Sequence, residues 1–144
     1  MPYSPLMVQP MKPELVSIGF EELSSAADVD AFMASKPASA LLVINSVCGC
    51  AAGQARPGVR LAIEHEVKPD RLVTVFAGQD LEATARVRGY FAEVPPSSPS
   101  MALFKDGELV YFIPRHRIES RSAQEVAEDL RGAFDRFLAA SEPA

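Results

Sequence analysis

Two apolar runs of strand length stand out in the hydrophobic pattern of this chain. The first covers residues 40–45, and the second covers residues 71–77 and is rich in β-branched residues. Continuous apolar runs of this length are typical of strands that are covered on both faces, and β-branched residues favour strands. We therefore predict two buried strands at the centre of the fold.

Helical patterns flank both runs. Ser122 and Glu125 form a capping-box pattern that opens a last helix, and Asp80 is a candidate N-cap. Pro57 must kink or shorten the helix in which it lies. The predicted helices cover residues 14–18, 27–35, 51–67, 81–91 and the stretch after Ser122.

A hairpin precedes the last helix. Residues 101–104 and 109–113 are predicted strands around Asp106-Gly107, which is a strong turn signal. This order of elements indicates an α/β fold of thioredoxin-like type, with a central mixed sheet of about four strands and helices on both faces. We predict one such domain over residues 1–144, in which residues 1–13, with four prolines, form an extended or loosely ordered arm.

Composition and charge argue against several classes of function. The net charge of −5 and the lack of a basic run with interleaved aromatic residues argue against nucleic acid or an anionic membrane as a partner. The first residues lack the organisation of a signal peptide, and the apolar runs are far shorter than the roughly 20 residues of a membrane helix. We therefore expect a cytoplasmic protein, in which a structural disulfide would be unusual.

The chain has only two cysteines, Cys48 and Cys50, and a single residue separates them. They follow the first predicted strand and precede a predicted helix. A helix N-terminus favours negative charge, and it lowers the pKa of a thiol placed there. The sequence therefore predicts a thiol–disulfide site in which Cys48 attacks and Cys50, in the first helical turn, resolves the mixed disulfide.

The intervening Gly49 permits the unusual backbone angles that a disulfide ring across one residue requires. Such a small ring is strained, and strained disulfides are easily reduced. We therefore predict an oxidising couple, nearer to the roughly −180 mV of an isomerase than to the roughly −270 mV of thioredoxin. Gly49 is also a predicted substrate contact.

Ser98 and Pro99 precede the predicted strand at residues 101–104. In a thioredoxin-like fold, a cis proline at this place faces the cysteines, and the backbone beside it offers hydrogen bonds to a disulfide-linked substrate. We therefore predict a cis Ser98–Pro99 bond and two substrate-binding residues. The basic cluster at residues 115–117 could contact an anionic cosubstrate, but we interpret it as a solvated strand end.

A metal site receives little support from the sequence. The two cysteines would need further ligands, and nothing fixes either histidine, His65 or His116, near them. The residues at 64–66 would point in different directions on a helix, so we interpret them as an exposed polar face. We predict no metal ligands, and we interpret Arg56, two turns beyond the cysteines, as structural.

Several segments resemble the bacilliredoxin family. They are residues 45–53 with Arg56-Pro57, residues 73–80, residues 96–100 and residues 112–116. The similarity runs from about residue 6 to residue 137, and the Cys-Gly-Cys block is highly specific. One departure is Gly58, where an alanine is usual in the family.

The resemblance implies a thioredoxin-like redox protein of the bacillithiol system, without a bound cofactor. Members remove bacillithiol from S-bacillithiolated proteins. Bacillithiol or another low-molecular-weight thiol is thus the expected cosubstrate, and S-thiolated proteins are the expected partners. If the family's functional residues are placed on the matching positions of this sequence, Cys48 would accept bacillithiol as a mixed disulfide. Cys50 would be the second thiol, and Pro99 would be the cis proline beside them. We expect a monomer or a weak homodimer.

The leading hypothesis is a thiol–disulfide oxidoreductase that removes a low-molecular-weight thiol from proteins. Two alternatives stay open at this point. One is a disulfide isomerase or oxidase that acts on protein disulfides. The other is a non-enzymatic metal-binding module that uses Cys48 and Cys50 as ligands.

Overall fold

Among the residues that the structure describes, a mixed sheet of five strands forms the centre of the fold. The computed structural model describes residues 9–91 and 94–138. The order of strands across the sheet is β1-β3-β2-β4-β5. β1 and β2 run parallel to β3, whereas β4 runs antiparallel to β2 and to β5. The strands are β1 (Glu21–Glu22), β2 (Ser39–Asn45), β3 (Arg71–Phe76), β4 (Ser100–Lys105) and β5 (Glu108–Ile113).

Helices cover both faces of this sheet. α1, α3 and α6 pack against one face, and α2 and α4 pack against the other. A π-helical turn, Ala51–Ala55, leads directly into α3. The helices are α1 (Pro13–Val16), α2 (Ala26–Ala34), α3 (Arg56–Ala62), α4 (Leu81–Tyr90), α5 (His116–Glu119) and α6 (Ala123–Phe137).

The central strand β2 is buried along its whole length. Leu41 and Val43 belong to the core on the α3 and α6 side, whereas Leu42 and Ile44 belong to the core on the α2 and α4 side. Successive side chains of a strand point to opposite faces, so both sets must be apolar when helices cover both faces. The prediction of a buried central strand is confirmed.

The predicted α/β fold class is also confirmed, with one correction to the sheet. The sheet has five strands rather than about four, because β1 was not predicted. This strand consists of Glu21 and Glu22 alone, which pair with Val73 and Thr74 of β3. Two acidic residues at a sheet edge leave no hydrophobic alternation from which a strand could be predicted.

The predicted helix over residues 51–67 is present but shorter, and the irregularity expected at Pro57 takes the form of a π turn just before that residue. The Arg56 N–H donates to the carbonyl of Ala51, five residues earlier, and α3 then ends at Ala62. In a regular α-helix, Pro57 would lack the N–H for a backbone hydrogen bond, and its ring would clash with the carbonyl four residues before it. The π turn adds one residue to the helix at this point, so the helix continues past the proline instead of ending there.

The two cap predictions have different outcomes. Ser122 and Glu125 form the predicted capping box, in which each side chain accepts the backbone N–H of the other, at 3.1 and 2.8 Å. Asp80 precedes α4, but it makes no capping bond. Its carboxylate instead accepts the N–H of Phe76 at 3.2 Å and pairs with Lys12 at 3.3 Å. Asp80 therefore occupies the predicted N-cap position, but its side chain does not cap the helix.

The remaining predicted elements agree closely with α1, α2, α4 and the β4–β5 hairpin. Asp106 and Gly107 form the hairpin turn with φ values of 53° and 81°. Residues 1–8 of the predicted arm lie outside the described residues, residues 9–12 form turns, and α1 begins at Pro13. Within residues 9–91 and 94–138, every helix is too short or too polar to span a membrane.

Candidate active site

The two cysteines lie where the central strand meets the helical segment that leads into α3. β2 ends at Asn45, and helical backbone begins at Gly49. The carbonyl of Cys48 accepts a hydrogen bond from the N–H of Ala51 at 3.1 Å. Cys48 and Cys50 are half-buried, whereas Gly49 is exposed. Both thiols are therefore accessible at the start of a helix.

The thiols of Cys48 and Cys50 are in direct contact. Both cysteines are free, and their Sγ atoms form a hydrogen bond of 2.7 Å. A disulfide brings two sulfurs to about 2.05 Å, so oxidation of the pair requires only a small further approach. The site can therefore convert between dithiol and disulfide within one chain.

Hydrogen bonds stabilise the thiolate of Cys48. Burial raises the pKa of this thiol, but hydrogen bonds from the Cys50 thiol, the Ser46 hydroxyl and nearby backbone N–H groups outweigh burial and leave the pKa below its ordinary value. A lower pKa gives a larger fraction of thiolate, which is the nucleophilic form. The direction of the shift agrees with the prediction, but the Cys50 thiol lowers the pKa of Cys48 more than the backbone N–H groups at the helix start do. The role of Cys48 as the attacking thiol stays a prediction.

Cys50 is shifted in the opposite direction. Burial, the hydrogen bond to Cys48 and the negative charge of the Cys48 thiolate raise the pKa of Cys50 to about 11. The charge of Arg115 acts against this rise, and the charge of Glu119 adds to it. Because the two thiols titrate as a pair, Cys50 keeps its proton while Cys48 is ionised.

A buried arginine holds the segment that leads to Cys48. Arg56 is 4% exposed, and its Nη1 donates to Asn45 Oδ1 at 2.8 Å and to the carbonyl of Ser46 at 3.0 Å. Its Nε donates to Glu14 Oε1 at 2.8 Å. The Ser46 hydroxyl in turn accepts the N–H of Cys48 at 3.0 Å. Arg56 therefore supports the backbone that leads to Cys48, which specifies the structural role predicted for it.

The Ser98–Pro99 peptide bond is cis, as predicted. Pro99 is buried, and Ser98 is half-buried. β4 begins immediately afterwards, and its Ser100 pairs with Ile44 near the end of β2. This register places Pro99 beside the C-terminal end of β2, from which the chain continues to Cys48. Contact of Ser98, Pro99 and Gly49 with a substrate stays a prediction.

Arg115 belongs to the basic cluster for which the sequence offered contact with an anionic cosubstrate as the weaker of two interpretations. Its backbone N–H donates to Ser97 Oγ at 3.2 Å, and its Nη1 donates to the carbonyl of Ser98 at 3.3 Å. Its Nε pairs with Glu119 at 2.9 Å, and its charge acts on both cysteines. Arg115 is exposed just after the last strand, as the interpretation of a solvated strand end requires, but it also contacts the backbone that precedes Pro99. The sequence signal available for this residue was its spacing of four from Glu119, which places the two side chains on one face of a helix. That helix, α5, packs beside the π turn that follows the cysteines.

The histidines take no part in this arrangement. His65 Nε2 forms a hydrogen bond with Asp135 Oδ1 at 2.9 Å, and His116 is exposed in α5. The described ranges contain no group of three or more His, Cys, Asp and Glu side chains that could hold a metal ion. The two sulfurs would supply two of the four ligands of a structural zinc site.

Comparison with known proteins agrees with this geometry. Residues 3–138 match the family described as Disulphide isomerase. A bacilliredoxin of Geobacillus kaustophilus is 53% identical, and the alignment covers 94% of this chain and 94% of that relative. A bacilliredoxin of Cytophaga hutchinsonii is also 53% identical, over 94% of this chain and 99% of the relative.

Solved structures show the same fold at low sequence identity. Fasciola hepatica thioredoxin has a TM-score of 0.56 at 20% identity, covering 81% of this chain and 98% of that protein. Schistosoma mansoni thioredoxin has a TM-score of 0.55 at 18% identity, with the same coverage. The predicted thioredoxin-like architecture is confirmed.

Proposed function

This chain belongs to the bacilliredoxin family, and from that membership we propose that it removes a low-molecular-weight thiol from mixed disulfides on proteins. The family and the thioredoxin-like fold support a thiol–disulfide redox protein. One observation carries the finer proposal. Two free thiols lie 2.7 Å apart, and their pKa values are shifted in opposite directions. One thiol is thus prepared to attack while the other keeps its proton.

The proposed reaction is a thiol–disulfide exchange. The Cys48 thiolate attacks the sulfur of the small thiol in a protein–S–S–R disulfide, which forms Cys48–S–S–R and releases the protein thiolate. Cys50 then gives its proton to solvent and attacks Cys48 Sγ, which forms the Cys48–Cys50 disulfide and releases R–S⁻. A thiol reductant restores the dithiol. Alternatively, a second R–S⁻ attacks Cys48–S–S–R, which yields R–S–S–R and the free Cys48 thiolate.

We propose bacillithiol as the small thiol R, and relatives named bacilliredoxin support this choice. The protein would need no bound cofactor, because both electrons come from thiols. S-thiolated proteins are the proposed partners, with Gly49, Ser98 and Pro99 as the contacts. We further propose that the protein is cytoplasmic, because reduced thiols are maintained in the cytoplasm. We also propose that it is a monomer or a weak homodimer.

The experiment is an intact-mass measurement on a reporter protein that carries one bacillithiol mixed disulfide. We expect the protein to release the reporter thiol, and we expect Cys48→Ala to abolish release because no other described sulfur has a lowered pKa. Cys50→Ala should still release the reporter and accumulate one bacillithiol adduct on Cys48. Retained turnover by Cys48→Ala would contradict the proposal.

A disulfide isomerase is the second candidate, because the matching family is described as Disulphide isomerase. The two candidates differ in the leaving group that follows Cys48 attack, a small thiol in one case and a protein cysteine in the other. Refolding of a scrambled disulfide protein, measured beside release of bacillithiol from the reporter, separates them. Faster refolding with slow release would favour the isomerase.

A further inference from the structure

Arg115 lies between the two parts of the candidate site. Its guanidinium donates to the carbonyl of Ser98, the residue before Pro99. Its charge also interacts with both Cys48 and Cys50. The arginine thus contacts the backbone before Pro99 and lies close enough to both thiols for its charge to act on them.

The guanidinium is held in place but remains accessible. Its side chain is 44% exposed, and Nε and Nη1 are used in the bonds to Glu119 and Ser98. Among the residues that the structure describes, Nη2 has no hydrogen-bond partner. The Glu119 pair is an exposed contact between residues four apart on one helical turn. Such pairs contribute little to stability, so a ligand carboxylate can share or replace this contact.

Resting on the function proposed above, we propose that Arg115 binds a carboxylate of the low-molecular-weight thiol that is transferred to Cys48. Guanidinium groups bind carboxylates through paired N–H donors, and one such donor is free here. The chain has a net charge of −5. The positive charge of Arg115 therefore provides local attraction near Cys48 for a small thiol that carries a carboxylate. Arg115 would then select the small thiol, while Cys48 performs the exchange.

The test compares two small disulfides that differ in charge, dithiodipropionate and hydroxyethyl disulfide. The rate of adduct formation on Cys48 is measured by intact mass with each probe, in a Cys50→Ala background that traps the adduct. We expect Arg115→Gln to slow the reaction with the carboxylate probe by about fivefold relative to the neutral probe. A ratio of two rates cancels any change in the thiolate fraction of Cys48, which affects both probes equally.

Arg86→Gln is the matched control. Arg86 forms an exposed pair with Asp30 on the far face of the sheet, with a side chain that is 48% exposed, so the substitution causes the same loss of charge. It should leave the ratio unchanged, whereas Arg115→Lys should keep part of the preference. High salt should reduce the preference of the parent protein.

The outcomes separate this inference from the proposed function. If Arg115→Gln leaves the ratio of the two rates unchanged, or if Arg86→Gln lowers it equally, Arg115 is not a carboxylate site. In either case, adduct formation on Cys48 would still support the exchange chemistry. If the Cys50→Ala protein forms no adduct with either probe and releases no reporter thiol, the proposed function itself fails.

Discussion

The two thiols of the site lie two residues apart, but their surroundings act differently on the charged form. Hydrogen-bond donors converge on Cys48, and the Ser46 hydroxyl is one of them. Burial and the negative charge of Cys48 instead raise the pKa of Cys50, and the positive charge of Arg115 opposes this rise only in part. The difference in nucleophilicity therefore comes from the position of a few donors and charges, because the residue type is the same.

We predict that Ser46→Ala raises the pKa of Cys48 and slows its alkylation severalfold at neutral pH. The substitution removes one donor to the thiolate, so less thiolate is present below the ordinary thiol pKa of about 8.5. The measurement is the iodoacetamide rate against pH, with the modified cysteine identified by mass spectrometry. The inflection should move to higher pH and the alkaline plateau should stay the same.

Ser17→Ala is the control for this residue, because Ser17 is exposed and its hydroxyl donates only to the carbonyl of Glu14, at 3.3 Å. Its profile should coincide with that of the parent protein. A Ser46→Ala profile that coincides as well would show that the hydroxyl does not stabilise the thiolate.

At the residue scale, the sequence predicted what depends on local neighbours. Cys48 and Cys50 follow a strand and open a helix, and both signals lie within a few residues of the pair. Arg115 is more than 60 residues away along the chain, and its contact with Ser98 exists only after β4 and β5 have paired. No local pattern carries information about that contact.

At the scale of elements, the junction between the π turn and α3 depends on close packing against α6. A Cβ added to Gly58 would lie 2.8 Å from Cγ1 and 2.9 Å from Cβ of Val126, and 3.0 Å from the carbonyl oxygen of Ala123. The glycine therefore permits an approach of two helices that any larger residue would prevent.

We predict that Gly58→Ala destabilises the protein by about 1–2 kcal/mol. Overpacking costs about 1–3 kcal/mol, and the gain of about 0.5–1 kcal/mol from replacing a helical glycine offsets it only in part. The measurement is the free energy of unfolding in urea. Because Val126 is the clashing side chain, Val126→Ala combined with Gly58→Ala should cost less than the sum of the two single changes.

Gly132→Ala is the matched control for Gly58. Gly132 lies inside α6, and an added Cβ there would meet nothing within 4 Å. The control should therefore stabilise the protein by about 0.5–1 kcal/mol. A Gly58→Ala variant as stable as Gly132→Ala would contradict the packing argument.

Elements with a strong hydrophobic pattern could be predicted from the sequence, and elements defined by tertiary contacts could not. β2 and β3 are apolar because helices cover both faces, so the pattern itself records their burial. β1 contains two acidic residues and becomes a strand only through its pairing with β3. The π turn likewise results from Pro57 within a helix that packing against α6 maintains.

At the scale of the whole molecule, Arg56 connects three parts of the chain beside the site. Its bonds reach Glu14 in α1, Asn45 at the end of β2 and the carbonyl of Ser46, while Arg56 itself begins α3. Asn45 and Ser46 are 2% and 6% exposed, so water cannot replace these bonds. The position of Cys48 therefore depends on contacts between elements that are distant in sequence.

The last prediction concerns this connection. Arg56→Met should lower the free energy of unfolding by about 2–4 kcal/mol, because it leaves buried oxygens of Asn45 and Ser46 without their charged donor. Arg56→Lys should recover only part of this loss, since one ammonium cannot reproduce the planar fork of donors. Arg60→Met, an exposed change on the same helix, should stay within about 0.5 kcal/mol of the parent protein. Urea unfolding measures all three, and equal values for Arg56→Met and Arg60→Met would show that the buried arginine does not hold the strand end beside Cys48.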